Sequence, residues 1–258
     1  MDQRLPYTLS TRPAPKQDAQ INAVLYAELA LMTSALGMAL KGLQAGEGES
    51  ALKTRIATTL NLHNHQAGYA ITRAKGMIQS RLSNIDNNYL PDAQTVLVRC
   101  QTKAPRLLAT ARRWRKRLKA TAPDHPQYNH IRLHCRKACQ RVVANHRRQQ
   151  RLQALIQRYE TELASKNPSI CIGSKTMLRQ QYQLKENGYR SREHWLRDWR
   201  WSRLCGHQYV GSSDESGGGR IAKWAFADDG SLILRLSLSP ASRERFGLNH
   251  LEITGLMF

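Results

Sequence analysis

Four residues in one stretch, His130, His134, Cys135 and Cys139, are of the types that bind transition metals, and each like pair is four apart, on a shared helix face. The two pairs are offset by five residues, which at ~3.6 residues per turn points them more than a third of a turn apart, so four ligands do not converge. Cys135 then fits an apolar seam and His134, between Arg132 and Arg136, a basic surface. The neighbours Asp214 and Glu215 are acids of the kind that hold metal ions for phosphodiester hydrolysis. Adjacent residues on a strand-like loop point apart, however, and a two-metal site gathers its acids from separate elements. His63 and His65 read as loop or helix-surface residues, no Ser-His-Asp arrangement stands out, and the run Gly217 to Gly219 is not a phosphate-binding fingerprint. The expectation is no catalytic residue, no metal and no cofactor.

Cations are the residues that carry a chemical signal. Forty Lys and Arg stand against nineteen Asp and Glu, a formal charge of +21 and an isoelectric point near 10.4. Between Lys103 and Arg151 there are fifteen cations and one acid, Asp124. The densest run is Arg112-Arg113-Trp114-Arg115-Lys116-Arg117, and Arg136, Lys137, Arg141, Arg147 and Arg148 follow. A charge run on a helix is ordinarily a solvated face. With almost no compensating acid nearby, its self-repulsion is better explained by a phosphate backbone that neutralises it, so these ten residues are expected to bind nucleic acid. Lys175 and Arg179, opening a helix after Gly173-Ser174, and Arg200 and Arg203, on the exposed flank of a later helix, are further candidates. Trp195 and Trp199, one turn apart, read as a core contact between helix and sheet in preference to a base-stacking platform.

These residues need elements to hold them. Leu5 to Leu9 reads as a strand stopped by Pro13 and Pro15. Apolar positions from Ile21 to Met38 recur at helical spacing, which predicts a helix from Asp18 to about Leu43, ended by Gly46 to Gly48. One or two helices follow from Ser50 to about Leu82, then a polar connection from Ser83 to Asp92. Ala93 to Leu163 is helical and basic, divided at Pro105 and again at Pro123 and Pro126. From Tyr128 to Leu163 the residues Ile131, Cys135, Ala138, Val142, Asn145, Gln149, Leu152, Ile156, Tyr159 and Leu163 alternate in steps of three and four. That seam predicts a helical hairpin against an earlier helix. Short helices are expected from Lys175 to about Leu184, capped by Ser174, and from near Ser191 to about Arg203, with a turn at Asn187-Gly188 between them. Gln208 to Gly211, Ile221 to Phe226 and the alternating Leu232 to Ser237 read as strands, with a hairpin turn at Asp229-Gly230. The fold class expected is α+β, a small antiparallel sheet or barrel with a large basic helical part.

Five irregularly spaced cysteines are poor material for a disulfide framework. The first residues lack the pattern of a signal peptide, and no uninterrupted apolar run approaches the ~20 residues that span a bilayer. A cytoplasmic location without a membrane partner is the expectation.

Gly173-Ser174-Lys175, Glu186-Asn187-Gly188-Tyr189, Trp195, Asp198-Trp199-Arg200, Arg203, Val210-Gly211-Ser212, Asp214-Glu215 and Gly217 occur in an order that resembles the TnpB (OrfB) proteins of bacterial insertion sequences. The resemblance covers the last third of the chain. It implies kinship to the type V CRISPR effectors, RNA-guided DNA nucleases in which a wedge barrel is interrupted by a helical recognition lobe and followed by a RuvC-type nuclease domain. On that pattern residues 1–14 are a first wedge-like strand, 15–167 a helical lobe, and 168–258 a wedge-like barrel with two short helices, its last strands formed by Arg245 to Phe258. Gly173, Trp195, Trp199, Gly211, Glu215 and Gly217 are the motif's structural positions. The implied partners are a structured guide-like RNA and DNA in a bacterial cytoplasm or nucleoid. The family's acidic nuclease motifs and paired zinc-ribbon cysteines do not follow in this sequence, so the chain is expected to bind without cutting, or to work with a separate nuclease chain. A guide-independent basic module for DNA or RNA is the remaining alternative.

Overall fold

Val24, Met32, Ala35, Leu36, Ala39 and Leu40 are all buried along one helix, α1 (Ala19–Gln44), around which half of the molecule is assembled. The computed structural model describes residues 19–204, 222–226 and 232–256. After α1 come α2 (Glu49–Leu60), α3 (Asn64–Asn84), a π-helical turn (Ile85–Tyr89), α4 (Leu90–Lys119) and α5 (Tyr128–Ser165). Two short helices follow, α6 (Lys175–Gln180) and α7 (Arg192–Ser202), then β1 (Ala222–Phe226), β2 (Leu232–Ser237), α8 (Pro240–Phe246) and β3 (His250–Leu256). The class is α+β. The strands expected at Leu5 to Leu9 and Gln208 to Gly211, and the turn at Asp229-Gly230, lie outside the described residues.

The chain divides into two compact units, residues 1–76 with 171–258, and residues 77–170. This differs from a helical lobe spanning 15–167. The reason is apolar burial: Val24 on α1 forms one core cluster with Leu236, Leu238, Leu251 and Ile253 of the sheet, so the first helices group with the strands. The sheet is antiparallel in the order β1-β2-β3, with Leu234 opposite Ile253 and Leu236 opposite Leu251. Period-two alternation puts Arg235 and Glu252 on the other face, where Arg235 Nε donates to Glu252 Oε1 at 2.7 Å. Arg245 and Phe246, expected in a strand, end α8 instead. Ser239 caps that helix by accepting from Ser242 N, Pro240 suits its first turn, and Gly247 at φ +66° closes it.

Residues 21–44 of α1 are, by length and mean hydropathy alone, enough to cross a membrane, although Glu28 and Lys41 interrupt the apolar run. In this fold the helix is a core element with a buried acid, Glu28, near its start. Glu28 Oε1 accepts from Ser239 N at 2.9 Å and Ser239 Oγ at 2.5 Å, and Oε2 accepts from Gln66 Nε2 at 3.3 Å. The same corner holds His63, which is not a free surface residue: its Nε2 lies 3.2 Å from Leu238 O and 3.3 Å from Arg243. Ala241 N also reaches Asn61 O, so α1, the α2–α3 corner and α8 meet in one polar node. Glu28→Ala would strand three buried donors. The expected cost is about 2–4 kcal/mol, read as a lowered midpoint in urea unfolding. A variant as stable as wild type would show that the node is dispensable.

The second unit is a helical hairpin. The polar connection expected from Ser83 to Asp92 is helical instead. Asn84 and Asn87 return their side-chain amides to Ser80 O and Ser83 O four residues back. The π turn, with Leu90 N bonding Ile85 O, shifts the backbone ladder where Pro91 has no N–H to offer. Pro105 likewise lies within a continuous α4 and does not divide it. A proline there crowds and orphans carbonyls of the preceding turn. The carbonyl that loses its donor is that of Gln101; its neighbour, Cys100 O, accepts from Asn145 Nδ2 at 3.1 Å and Gln149 Nε2 at 3.2 Å across the hairpin. The two polar interruptions of the α5 seam thus mark the register of α4 against α5. Asn145→Leu alone is expected to be nearly neutral, because Gln149 still serves the carbonyl. The double variant with Gln149→Leu should lose about 1–3 kcal/mol, a non-additivity that urea unfolding would detect.

Along the seam Ile131, Cys135 and Ala138 of α5 and Cys100 and Ala111 of α4 are buried. At the other end Glu162, also buried, pairs with Arg158 at 2.7 Å and Arg81 at 3.8 Å, and Arg81 lies over the rings of Tyr89 and Tyr159. Pro123 and Pro126 fall between α4 and α5, as expected.

Candidate nucleic-acid interface

Sequence dictates where the hairpin's cations go, because the a and d positions of the seam are apolar or small and everything else on α4 and α5 faces solvent. Arg112, Arg113, Arg115, Lys116 and Arg117 are all exposed on the last turns of α4. Arg136, Lys137, Arg141, Arg147 and Arg148 are all exposed on α5. Among the described residues, no ion pair involves any cation from Lys103 to Arg151. The structure therefore brings ten expected residues together on one unit and leaves their charge without an internal counterpart.

Three cations on the same helix were not singled out from the sequence. Arg99, Lys103 and Arg106 are exposed on α4. The signal was available: Arg99, Lys103, Arg106, Arg113 and Arg117 fall in steps of three, four or seven, the spacing of the seam itself. Trp114 was passed over as well. It is half-buried, its ring stacked on His134 at 4.8 Å between centroids, and the Arg117 guanidinium lies 5.6 Å from its centre. His130 stands 4.4 Å from His134. The His134 imidazole is held below its usual pKa, first by desolvation, then by repulsion from His130, Lys137 and Arg141. Burial pushes the Cys135 thiol up, with Cys139 adding to the effect, so this cysteine stays protonated and packs as a small core residue. Among the described residues no group of three or more His, Cys, Asp or Glu could hold a metal ion.

The remaining candidates belong to the first unit. Arg179 on α6 and Arg200 on α7 are exposed, while for Lys175 only the backbone, at the start of α6, is described. Ser174 and Ser191 cap α6 and α7 as expected, accepting from Met177 N and His194 N. The helix after Ser174 ends at Gln180, shorter than expected, and turns carry the chain to Gly188 at φ +80°. Arg203 is not on an exposed flank. It is half-buried, its guanidinium 5.6 Å from the Trp199 ring centre, because a planar cation gains by lying on an aromatic face. Trp195 and Trp199 are buried and stacked, centroids 6.0 Å apart, and Gly173 at φ +96° sits against them. Gly211, Glu215 and Gly217, with Asp214, lie outside the described residues.

Comparisons with family models, curated proteins and solved structures give no match to this chain.

Proposed function

We propose that this chain binds nucleic acid, holding a structured guide-like RNA and its DNA target in the manner of a TnpB-like transposon protein. One observation carries the reading: fifteen cations on a single helical hairpin, exposed and without ion-pair partners among the described residues. Residues 103–119 of α4 span only ~24 Å at 1.5 Å per residue, so with the facing part of α5 the hairpin presents roughly one cation per 2 Å. That density approaches the one phosphate per ~1.7 Å of duplex axis, which makes a polyphosphate a matched counterpart. In this reading the three strands belong to a wedge-like domain, and recognition is by shape and backbone while base pairing supplies sequence. Holding is assigned to these residues and strand cleavage to none of them. A nuclease chain working beside this one is compatible with that division of labour.

The concentration of charge within one unit also favours a second reading, a guide-independent basic module for DNA or RNA. Sequencing of RNA that co-purifies with the protein separates the two. One enriched, structured species supports guide binding, whereas equal affinity for unrelated duplexes supports the second reading. Absence of any retained nucleic acid at low salt would refute both, and Mg²⁺-dependent cutting by a clean preparation would refute the assignment of holding alone.

A further inference from the structure

The cations of the hairpin are not equivalent, and the helical geometry sorts them. Relative to the seam, Arg99, Lys103, Arg106, Arg113 and Arg117 lie along one flank of α4. On α5, Lys137, Arg141 and Arg148 lie on the matching flank, with His130 and His134 continuing the row. The stack of Trp114 on His134 fixes these two rows on the same side of the hairpin, since it joins the two helices there. The other side carries Arg112, Arg115 and Lys119 on α4 and Arg132 and Arg136 on α5, all toward the turn between the helices. Further along, that side gives way to a mainly apolar groove of about 430 Å³ where Leu108 and Val143, each more than two-fifths exposed, meet His146, Arg147 and Gln150.

We infer that the polyphosphate backbone lies along the Trp114/His134 side of the hairpin, between the two rows of cations, and not along the Leu108/Val143 side. The inference rests on the nucleic-acid reading above and assigns it a surface. Eight cations run over ~27 Å of helix on the first side, against six on the second, where five cluster toward the turn and Arg147 stands apart at the groove. A continuous track matches a backbone whose charges recur without gaps, while an apolar groove interrupts it. Trp114 is not available to stack on a base, because His134 covers one ring contact and the Arg117 guanidinium lies close by. Contacts on this side are therefore to phosphates, independent of sequence.

His134 adds a signature to this side, because its ring stands in the row of cations, stacked on Trp114. The groups around His134 are Trp114 from α4, stacked on it and carrying Arg117 beside its ring, and His130, Lys137 and Arg141 from α5. Desolvation first, then repulsion from these neighbours, holds the His134 imidazole below its usual pKa in the free protein. A phosphate backbone laid beside the ring would favour the imidazolium, so the bound form takes up protons. Affinity then rises as pH falls through the histidine range and is lost as pH rises.

Two quadruple variants of equal charge test the assignment in the full chain. One is Arg106→Gln, Arg113→Gln, Lys137→Gln and Arg141→Gln; the other is Arg112→Gln, Arg115→Gln, Arg132→Gln and Arg136→Gln. All eight positions are exposed, and helical circular dichroism checks the fold. With a short fluorescent duplex at ~0.1 M salt, the first should weaken binding by roughly 100-fold or more and reduce the salt slope by about 3 to 4, the second by only a few-fold. His134→Gln should flatten the pH profile of affinity. Equal losses from both quadruple variants, a larger loss from the second, or a pH-independent wild-type affinity would overturn the face assignment while leaving nucleic-acid binding intact. No binding by wild type, or tighter binding to anionic phosphatidylserine vesicles than to the duplex, would overturn the underlying reading as well.

Discussion

Between 50 and 200 mM monovalent salt the affinity of this protein for a duplex is expected to fall by roughly 10⁴-fold. Each phosphate neutralised by a lysine or arginine releases condensed counterions, and the logarithm of the affinity falls with the logarithm of salt by about 0.9 per contact. Eight cations on one continuous track give a slope near −7 by that rule. The expectation is unusually sharp because, among the described residues, none of these cations is in an ion pair: the ion pairs of the second unit involve Arg81, Arg158 and Glu162, at the far end of the seam. Fluorescence anisotropy across a salt series reads the slope directly. A slope shallower than about −2 would mean that the charges are a solvated surface and that binding, if present, comes from elsewhere.

Trp195→Ala is expected to destabilise the first unit by about 3–5 kcal/mol. The indole is 3% exposed, lies stacked on Trp199, and donates from Nε1 to Met177 O at 2.9 Å, which ties α7 to α6. Trp199 in turn packs where Gly173 has no side chain: a Cβ there would stand 3.4 Å from the Trp199 ring and 2.8 Å from Arg203 Cγ. Removing Trp195 therefore costs burial, a cavity and an orphaned carbonyl together. Trp195→Phe, which keeps most of the area and loses the hydrogen bond, should cost only about 1–2 kcal/mol. Urea unfolding of both variants gives the comparison. An alanine variant within about 1 kcal/mol of wild type would sink the core role and return these rings to consideration as a stacking platform.

Much of the local structure was legible because its causes are local. Ser174, Ser191 and Ser239 each precede a helix and supply the side-chain acceptor that its first N–H groups lack, although only the first two were read as helix starts. The seam of α5 was legible from its three-and-four spacing, and its partner helix is the preceding one because a short turn leaves no other choice. What misled was proline and asparagine. Pro105 and the stretch from Ser83 to Asp92 read as breaks, yet a π turn and side-chain amides bonded four residues back carry the second through, and α4 runs on past Pro105 while donors from across the hairpin hold the neighbouring Cys100 carbonyl. Those compensations come from shape and from residues some 45 positions away in the chain, beyond any local window.

By composition and spacing, the amino-acid sequence determined that the chain is α+β, that its middle is a helical hairpin, and that this hairpin is densely cationic. Charge and periodicity are properties of neighbours along the chain, so they survive without knowledge of the fold. Only the tertiary structure decided that α1 belongs with the sheet, that Glu28 is buried and bonded to Ser239, that Arg203 lies on Trp199, and that the cations divide into one continuous track and one interrupted side. Each of these depends on which distant surfaces are removed from water together, and that is set by packing across the molecule.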